Sequence, residues 1–427
     1  MKTEFTADQR ANPLIQMMEE NLRKCVHCGF CLSACPTYSV LGDERDSPRG
    51  RIYLIKDMLE QGGAPEPEIV NHVDRCLSCL ACMTACPSGV HYQHYIDHAR
   101  SFVEDNYQRP WFDRLLRNVL AGILPYAGRF KLALSLARLA KPFASLLGSK
   151  LAGIINMAPS SLPPAVLPEG AQVFPAAGEA KKRIALLPGC AQKILRPSIN
   201  EATIRLLTRA GVEVVIAGGL GCCGALSHHL GKDEAARVFA KANIDAWMQE
   251  IDNTGLDAIV INAAGCGTEV KDYGFLLKDD PLYSEKAAKI SNLAKDVTEV
   301  IAELDLPEAN KTELPNIVYH DACSLMHGQG ITRQPRDQLK EVGFEIAEIP
   351  GHHFCCGSAG SYNLLQPAMA DQLKERRLNK LEGVADASML GTGNIGCLVQ
   401  LASGTTLPVV HTVELLDWAT GGPKPQS

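Results

Sequence analysis

The chain has 427 residues, 46% of them hydrophobic and 21% charged, with a formal net charge of −6. That length allows two or three domains, and the mild acidity argues against a nucleic-acid binder, whose phosphate contacts call for a basic surface. The opening MKTEFTADQR has no apolar core of a secretory signal, and no uninterrupted apolar run approaches the roughly 18 residues of a membrane span. The 16 cysteines are therefore expected to bind metal or do redox chemistry in the cytosol rather than to form disulfides.

Residues 1–108 form the first expected domain. It reads as mainly helical, with a helix over 50–61 (GRIYLIKDMLEQ) announced by Ser47-Pro48. Eight cysteines fall here as an internal repeat: Cys25, Cys28, Cys31 and Cys35 recur as Cys76, Cys79, Cys82 and Cys86, every offset being 51 residues.

Residues 109–180 read as a connector, with helix expected over 110–158 and a Pro/Ala/Gly-rich linker over 160–179. It carries Arg109, Arg114, Arg117, Arg129, Lys131, Arg138, Lys141 and Lys150 among apolar residues, and up to Lys150 its only acid is Asp113. A basic, apolar, amphipathic segment fits a membrane surface or a partner protein; a pair of core-packing helices with a solvated basic face fits as well.

The remaining chain alternates strand candidates (183–187, 212–217, 258–263, 316–320, 345–349 and 408–412) with helical stretches (200–209, 234–253 and 368–381). This predicts α/β layering with largely parallel sheets. A second cysteine repeat divides it into units at 181–312 and 313–427. Cys190, the pair Cys222–Cys223 and Cys266 recur as Cys323, the pair Cys355–Cys356 and Cys397, at offsets of 133, 133, 133 and 131. Cys190, Cys266 and Cys323 follow strand candidates, and the carboxyl ends of strands are where open α/β sheets bind ligands.

The first set reads CVHCGFCLSACP and CLSCLACMTACP, both C-x2-C-x2-C-x3-C-P. In two-cluster ferredoxins three cysteines of such a run hold one [4Fe–4S] cluster and the fourth serves the other. The expected ligand sets are Cys25, Cys28, Cys31 and Cys86 for one cluster, and Cys76, Cys79, Cys82 and Cys35 for the second. A zinc site needs only four thiolates and leaves the doubled motif unexplained. His27 is a candidate for tuning the first site, or a solvated loop histidine.

The second set, C…GCCGA…AAGC and C…FCCGS…NIGC, resembles the cysteine-rich CCG domain of heterodisulfide reductase, of the third subunit of anaerobic glycerol-3-phosphate dehydrogenase and of the iron–sulfur subunits of glycolate and lactate oxidation systems. The family motif ends in CxxC. Here Ala263 and Asn394 replace the first cysteine of that pair, so the family's five-cysteine cluster lacks a ligand in each repeat. Cys190, Cys222, Cys223 and Cys266, and Cys323, Cys355, Cys356 and Cys397, are left as ligands of a further cluster or metal ion, as redox-active thiols, or as packing residues. His320, His327, His352 and His353 flank the second copy as ligand, proton-carrier or core candidates.

The order of these parts resembles the iron–sulfur subunit of glycolate oxidase (glycolate dehydrogenase), most closely in HCGFC…CPTY (27–38), SPRGRIYLIK (47–56), DRCLSC (74–79), CPSGVHY (86–92) and CCGSAG (355–360). The glycerol-3-phosphate dehydrogenase subunit has the same order and is the alternative; heterodisulfide-reductase-like thiol chemistry at the CCG repeats is a further one. The resemblance implies an electron-transfer chain that does not itself oxidise substrate. Partner subunits would carry FAD, a quinone or similar acceptor would take the electrons, and attachment would be peripheral on the cytoplasmic face of the inner membrane. In agreement, no G-x-G-x-x-G follows a strand; Gly391-Thr392-Gly393 is only a partial match.

Overall fold

The computed structural model describes residues 1–146, 170–306, 314–347, 354–381 and 386–425, with 155, 158–159, 161–164, 309, 349 and 384 between them. Lys150, His352, His353, and parts of the expected helix over 110–158, linker over 160–179 and strand over 345–349 lie outside the described residues.

The N-terminal domain is helical, as expected. Its elements include Pro13–Lys24, Phe30–Ala34, Pro36–Leu41, Pro48–Gln61, Pro67–Asp74, Ala81–Thr84 and Tyr92–Asn106. The helix expected at 50–61 starts two residues earlier. Ser47 Oγ accepts from the Gly50 N–H at 3.0 Å, and Pro48 sits in the first turn, where a missing N–H is no loss. Ile52, Ile55, Met58 and Leu59 on its inner face join one apolar cluster with Val73, Tyr95 and Ile96.

The C-terminal half holds two sheets. The first comprises β1 (Gln172–Phe174), β2 (Lys182–Leu187), β3 (Val212–Ile216), β4 (Ala258–Ile261) and β5 (Ala294–Asp296), in the order β1-β3-β2-β4-β5. The second comprises β6 (Ile317–His320), β7 (Ile346–Ala347), β8 (Met389–Thr392) and β9 (Val409–His411), in the order β7-β6-β8-β9. All neighbours are parallel except β1 against β3. Without β1 the two orders coincide, so the cysteine duplication is a duplication of topology. Strands β4, β6 and β9 are buried along their whole length, in keeping with the apolar runs that mark them in the sequence. Each fully buried Val, Ile or Leu contributes about 1.5–3 kcal/mol.

Three strands were not expected. β1 lies within the predicted linker, β5 is three residues long, and β8 (MLGT) carries a glycine that weakens strand propensity. Gly391 of β8 is needed for packing: a Cβ there would stand 3.0 Å from the Tyr319 ring and 3.2 Å from Leu415. The partial G-x-G pattern is thus a close approach inside a sheet.

The N-terminal domain packs against both repeats, which share one apolar core with each other. Helix Tyr92–Asn106 meets the first through His94–Asp272 (2.9 Å) and Glu104–Lys232 (2.7 Å). A Cβ at Gly231 (φ +80°) would stand 2.4 Å from the carbonyl oxygen of Arg100, so only glycine fits there. The second repeat meets the cysteine loops. Thr84 Oγ1 lies 2.9 Å from His327 Nδ1, and Arg376 donates to the Ser39 carbonyl at 3.1 Å.

The connector forms helices Trp111–Ile123 and Ala127–Ala140 and a 3-10 turn at Lys141–Leu146. Two of its cations face inward. Arg109 and Arg117, both buried, reach Asp74 at 2.6 and 2.9 Å and also pair with Asp113. Arg114, Lys131 and Arg138 are exposed, as are Trp111, Leu115, Leu132, Leu136, Leu139 and Phe143. No described helix is long and apolar enough to cross a membrane.

Candidate metal centres

Two clefts open beside the N-terminal cysteine loops. The first is lined by Cys25, Cys28, Cys31 and Cys86, with Cys82 at its back. The second is lined by Cys35, Cys76, Cys79 and Cys82. The first cleft is thus lined by three thiols of the first motif with Cys82 and Cys86 of the second, the second cleft by three thiols of the second motif with Cys35 of the first, and Cys82 borders both.

Backbone conformation repeats with the motif. His27 and Ser78 (φ 56° and 48°) and Gly29 and Leu80 (φ 86° and 61°) are left-handed, again 51 residues apart. Such a conformation costs a non-glycine residue about 1 kcal/mol or more. Left-handed turns of this kind build the N–H-lined concavities found at anion and Fe–S sites.

The clefts differ in exposure. Cys28 is exposed and Cys25, Cys31 and Cys86 half-buried, whereas Cys35, Cys76, Cys79 and Cys82 are buried. Burial lifts the Cys31 thiol to about 11. Burial and neighbouring thiols push Cys79 and Cys82 well above their ordinary value. Thiols this reluctant to ionise need a metal's charge to become thiolates. Four convergent thiols, apolar walls and an N–H-rich backbone fit a [4Fe–4S] cluster in each cleft. His27 lines the first cleft, edge-on to Tyr53 at 5.3 Å, its pKa lowered by burial and by Arg49.

A charged network missed at the level of sequence supports the second cleft. Asp46, fully buried, receives Arg51 and Arg75 at 3.1 Å each and lies 3.0 Å from His72 Nδ1. Arg51 Nη1 also donates to Thr37 Oγ1 at 3.1 Å and lies 4.0 Å from Cys35 Sγ. Burial alone would lower the Arg51 pKa; the adjacent Cys76, Tyr92, Cys35 and Asp46 raise it, so it stays a cation beside the cluster thiols. The available signal was a lone arginine on the apolar stripe of helix Pro48–Gln61, in register with Ile55 and Met58.

In both repeats the sequence-predicted cysteines converge at the carboxyl ends of the central strands. Cys190 Sγ is 3.6 Å from Cys222 Sγ, and Cys323 Sγ is 3.8 Å from Cys355 Sγ. The N–H groups of Gly224 and Gly357, each left-handed, reach Cys222 and Cys355 at 3.5 and 3.4 Å. A Cβ at Gly357 would stand 2.5 Å from the Ala370 carbonyl oxygen, which fixes glycine after the cysteine pair. Contact with Cys355 and burial raise the Cys323 thiol, while Cys323 and Cys356 lower that of Cys355. His320 at the end of β6 lies near Cys356 and Cys397; burial and the guanidiniums of Arg377 and Arg336 lower its pKa well below the usual range. His327 is placed against Thr84 instead.

The second repeat abuts the second cleft. Cys79, Leu77 and Ala81 share one apolar cluster with Cys355, Tyr362 and Met369, with Cys323 packed against it. The second repeat also touches the first: Thr268, two residues after Cys266, donates to the Ser324 carbonyl at 3.0 Å, and Gln329 Nε2 donates to the Ala264 carbonyl at 3.0 Å.

A helical domain with two four-thiol clefts, joined to two α/β units that gather four thiols each, defines an iron–sulfur electron-transfer protein. A family model described as a 4Fe-4S dicluster domain matches residues 21–90, and one described as a cysteine-rich domain matches 184–271 and 317–402. The chain is 39% identical over 421 residues to the glycolate oxidase iron–sulfur subunit of Escherichia coli K12, covering 98% of this chain and 99% of that one. It is 34% identical to the probable glycolate oxidase iron–sulfur subunit of Bacillus subtilis, covering 99% of each. Lactate utilization protein A of B. subtilis is 24% identical over 55% of this chain and 99% of its own. The chain belongs to the family of glycolate oxidase iron–sulfur subunits.

Proposed function

We propose that this chain is the electron-transfer subunit of a membrane-associated, FAD-dependent dehydrogenase that oxidises glycolate to glyoxylate, with flavin on partner subunits and a quinone or similar carrier as acceptor. The observation that carries this reading is full-length similarity to subunits bearing that name. In it Cys25, Cys28, Cys31 and Cys86 hold one [4Fe–4S] cluster, and Cys76, Cys79, Cys82 and Cys35 the other. When bound, each supplies one-electron carriage, which lets a two-electron flavin be emptied in single steps. The chain's own residues give the pair a direction. Exposed Val26 lines the first cleft, exposed Tyr53 packs edge-on against its His27, and exposed Phe30 lies between its Gly29 and Cys31 in the chain, an apolar surface suited to a partner protein. The second cleft faces inward to the thiols of the second repeat. The exposed Leu132, Leu136, Leu139 and Phe143, interspersed with Lys131 and Arg138, favour peripheral attachment to the cytoplasmic face of the inner membrane.

The test is iron and acid-labile sulfide per chain after anaerobic purification, with EPR of the dithionite-reduced protein. About eight irons and two interacting [4Fe–4S] centres are expected from the N-terminal sites alone, and about twelve or sixteen if the repeats also hold clusters. A reconstituted chain that takes up only about four would sink the assignment. Failure of the purified complex to bind anionic liposomes at low salt would remove the membrane part.

A further inference from the structure

The two cysteine-rich repeats differ at one buried position. Aligning Cys190 with Cys323 sets Leu187, the last residue of β2, against His320, the last residue of β6. Leu187 is 1% exposed and belongs to the apolar core of the first repeat. His320 is also 1% exposed, yet among the described residues neither of its ring nitrogens has a hydrogen-bond partner. A buried polar atom left unsatisfied is destabilising, and folded proteins rarely tolerate it without a reason. Other buried histidines here have one: His228 Nδ1 meets Glu269 at 3.0 Å, and His411 Nδ1 accepts from the Val413 N–H at 3.3 Å.

What His320 meets is sulfur. Its ring nitrogen and the Sγ atoms of Cys356 and Cys397 lie within 4.8 Å of one another, all three residues buried. Asn394, where the family motif has a cysteine, donates from Nδ2 to Cys397 Sγ at 3.4 Å and so supports that sulfur. Arg377, 2% exposed, sets a fixed positive charge near Cys356 and Cys397. The second repeat thus gathers four thiols and an unpaired imidazole where the first gathers four thiols and a leucine.

We infer that the second repeat holds a metal centre in which His320 supplies a nitrogen ligand beside Cys356 and Cys397, making good the cysteine missing at Asn394; Cys323 and Cys355 complete the five donors of an iron–sulfur cluster, and one of the two completes the four of a zinc ion. A mixed imidazole–thiolate set suits a zinc ion and the iron of an iron–sulfur cluster alike. Asn394 and Arg377 are the outer partners that such a site needs to orient its ligands and offset thiolate charge. The inference rests on the proposed function only in taking these thiols as ligands. The iron of the N-terminal clefts, counted separately, tests that reading by itself.

The experiment compares the full chain, purified anaerobically, with His320→Leu and His320→Cys, measuring iron and zinc per chain and the ligand shell of the metal. In the wild type, metal is expected beyond the roughly eight irons of the N-terminal domain. Zinc-edge X-ray absorption would show nitrogen with sulfur if the metal is zinc. Pulsed EPR would show a histidine-nitrogen coupling, altered by 15N-histidine, if it is iron. His320→Leu, which copies the first repeat, should lose that extra metal while keeping its fold and its N-terminal iron. His320→Cys should keep the metal with an all-sulfur shell. Full extra metal with an unchanged ligand signature in His320→Leu would overturn the inference, as would a wild type with no metal beyond the N-terminal iron. Should His320→Leu fail to fold, a His320→Cys signature identical to the wild type would overturn it equally.

Discussion

The Tyr362 hydroxyl donates to the carbonyl of Arg75 at 3.1 Å, one residue before Cys76, and so ties the second repeat to the loop of the second cleft. Its ring is buried in the cluster that holds both Cys79 and Cys355. Tyr362→Phe should cost about 1 kcal/mol, the worth of one hydrogen bond. Tyr362→Ala should cost about 3–5 kcal/mol and perturb the EPR spectrum of the second centre. Urea unfolding of the anaerobic protein gives the comparison, and an alanine variant within 1 kcal/mol of wild type would show that the contact does not hold the domains together.

Arg51 Nη1 lies 4.0 Å from the Cys35 sulfur of the second cleft. Arg51→Met removes that cation and leaves Asp46 buried with one partner fewer. A loss of about 3–5 kcal/mol is expected, as when one side of a buried ion pair is removed. The second centre should also become harder to reduce, because a nearby positive charge favours the reduced cluster. Potentiometric titration followed by EPR measures this; an unmoved or more positive midpoint would contradict the role.

A buried charge cluster joins helix Tyr92–Asn106 to the first repeat: His228 lies 3.0 Å from Glu269, and His229 lies 3.8 Å from Asp97. Burial alone would lower the His228 pKa, but Glu269 and Asp97 raise it to about 10. Burial alone would raise Asp97, but His228, His229 and Arg100 bring it to about 2. Asp233 also faces His228, at 4.0 Å. The raised histidine contributes stability that is complete below its ordinary 6.5 and is lost as pH climbs through about 10. The lowered aspartate contributes stability that is complete above 3.8 and is lost as pH falls through about 2. Melting temperature should therefore fall between pH 7 and 10 in the wild type, and fall less steeply in His228→Gln. Equal slopes in the two proteins would refute the assignment.

The thiols that cross between loops give separable losses. Cys86→Ser should deplete the centre of the first cleft and spare that of the second, and Cys35→Ser should do the reverse, each removing about four irons. Stripping all iron should melt the short helices Phe30–Ala34 and Ala81–Thr84, which begin at left-handed residues and end beside cysteines; far-UV circular dichroism follows this. Loss of the second centre on Cys86→Ser would mean that each motif serves its own cleft.

The parts legible in the sequence were those with a period. The offsets of 51 and 133 marked both duplications, and the apolar runs marked β2, β3, β4, β6 and β9. The short edge strands β1 and β5 depend on tertiary pairing that no local pattern encodes. The Asp46–Arg51–Arg75 network joins residues up to 29 apart in the chain. The seating of Cys79 against Cys355 and of His320 against Cys356 and Cys397 exists only once the repeats are folded and packed. The connector's basic character was visible, but the use of Arg109 and Arg117 as internal struts was not.

Because each cleft draws thiols from both loops, the second is not whole until the chain has been made past Cys82, nor the first until it has passed Cys86. A nascent chain that has emerged only through residue 75 displays four cysteines that belong to two half-built cavities. Metal delivered at that stage meets three thiols at most where four are needed, so loading waits on the second loop. On the proposed ligand sets, a full complement of iron would report that the domain has been completed, and a product truncated before Cys76 would lack both centres.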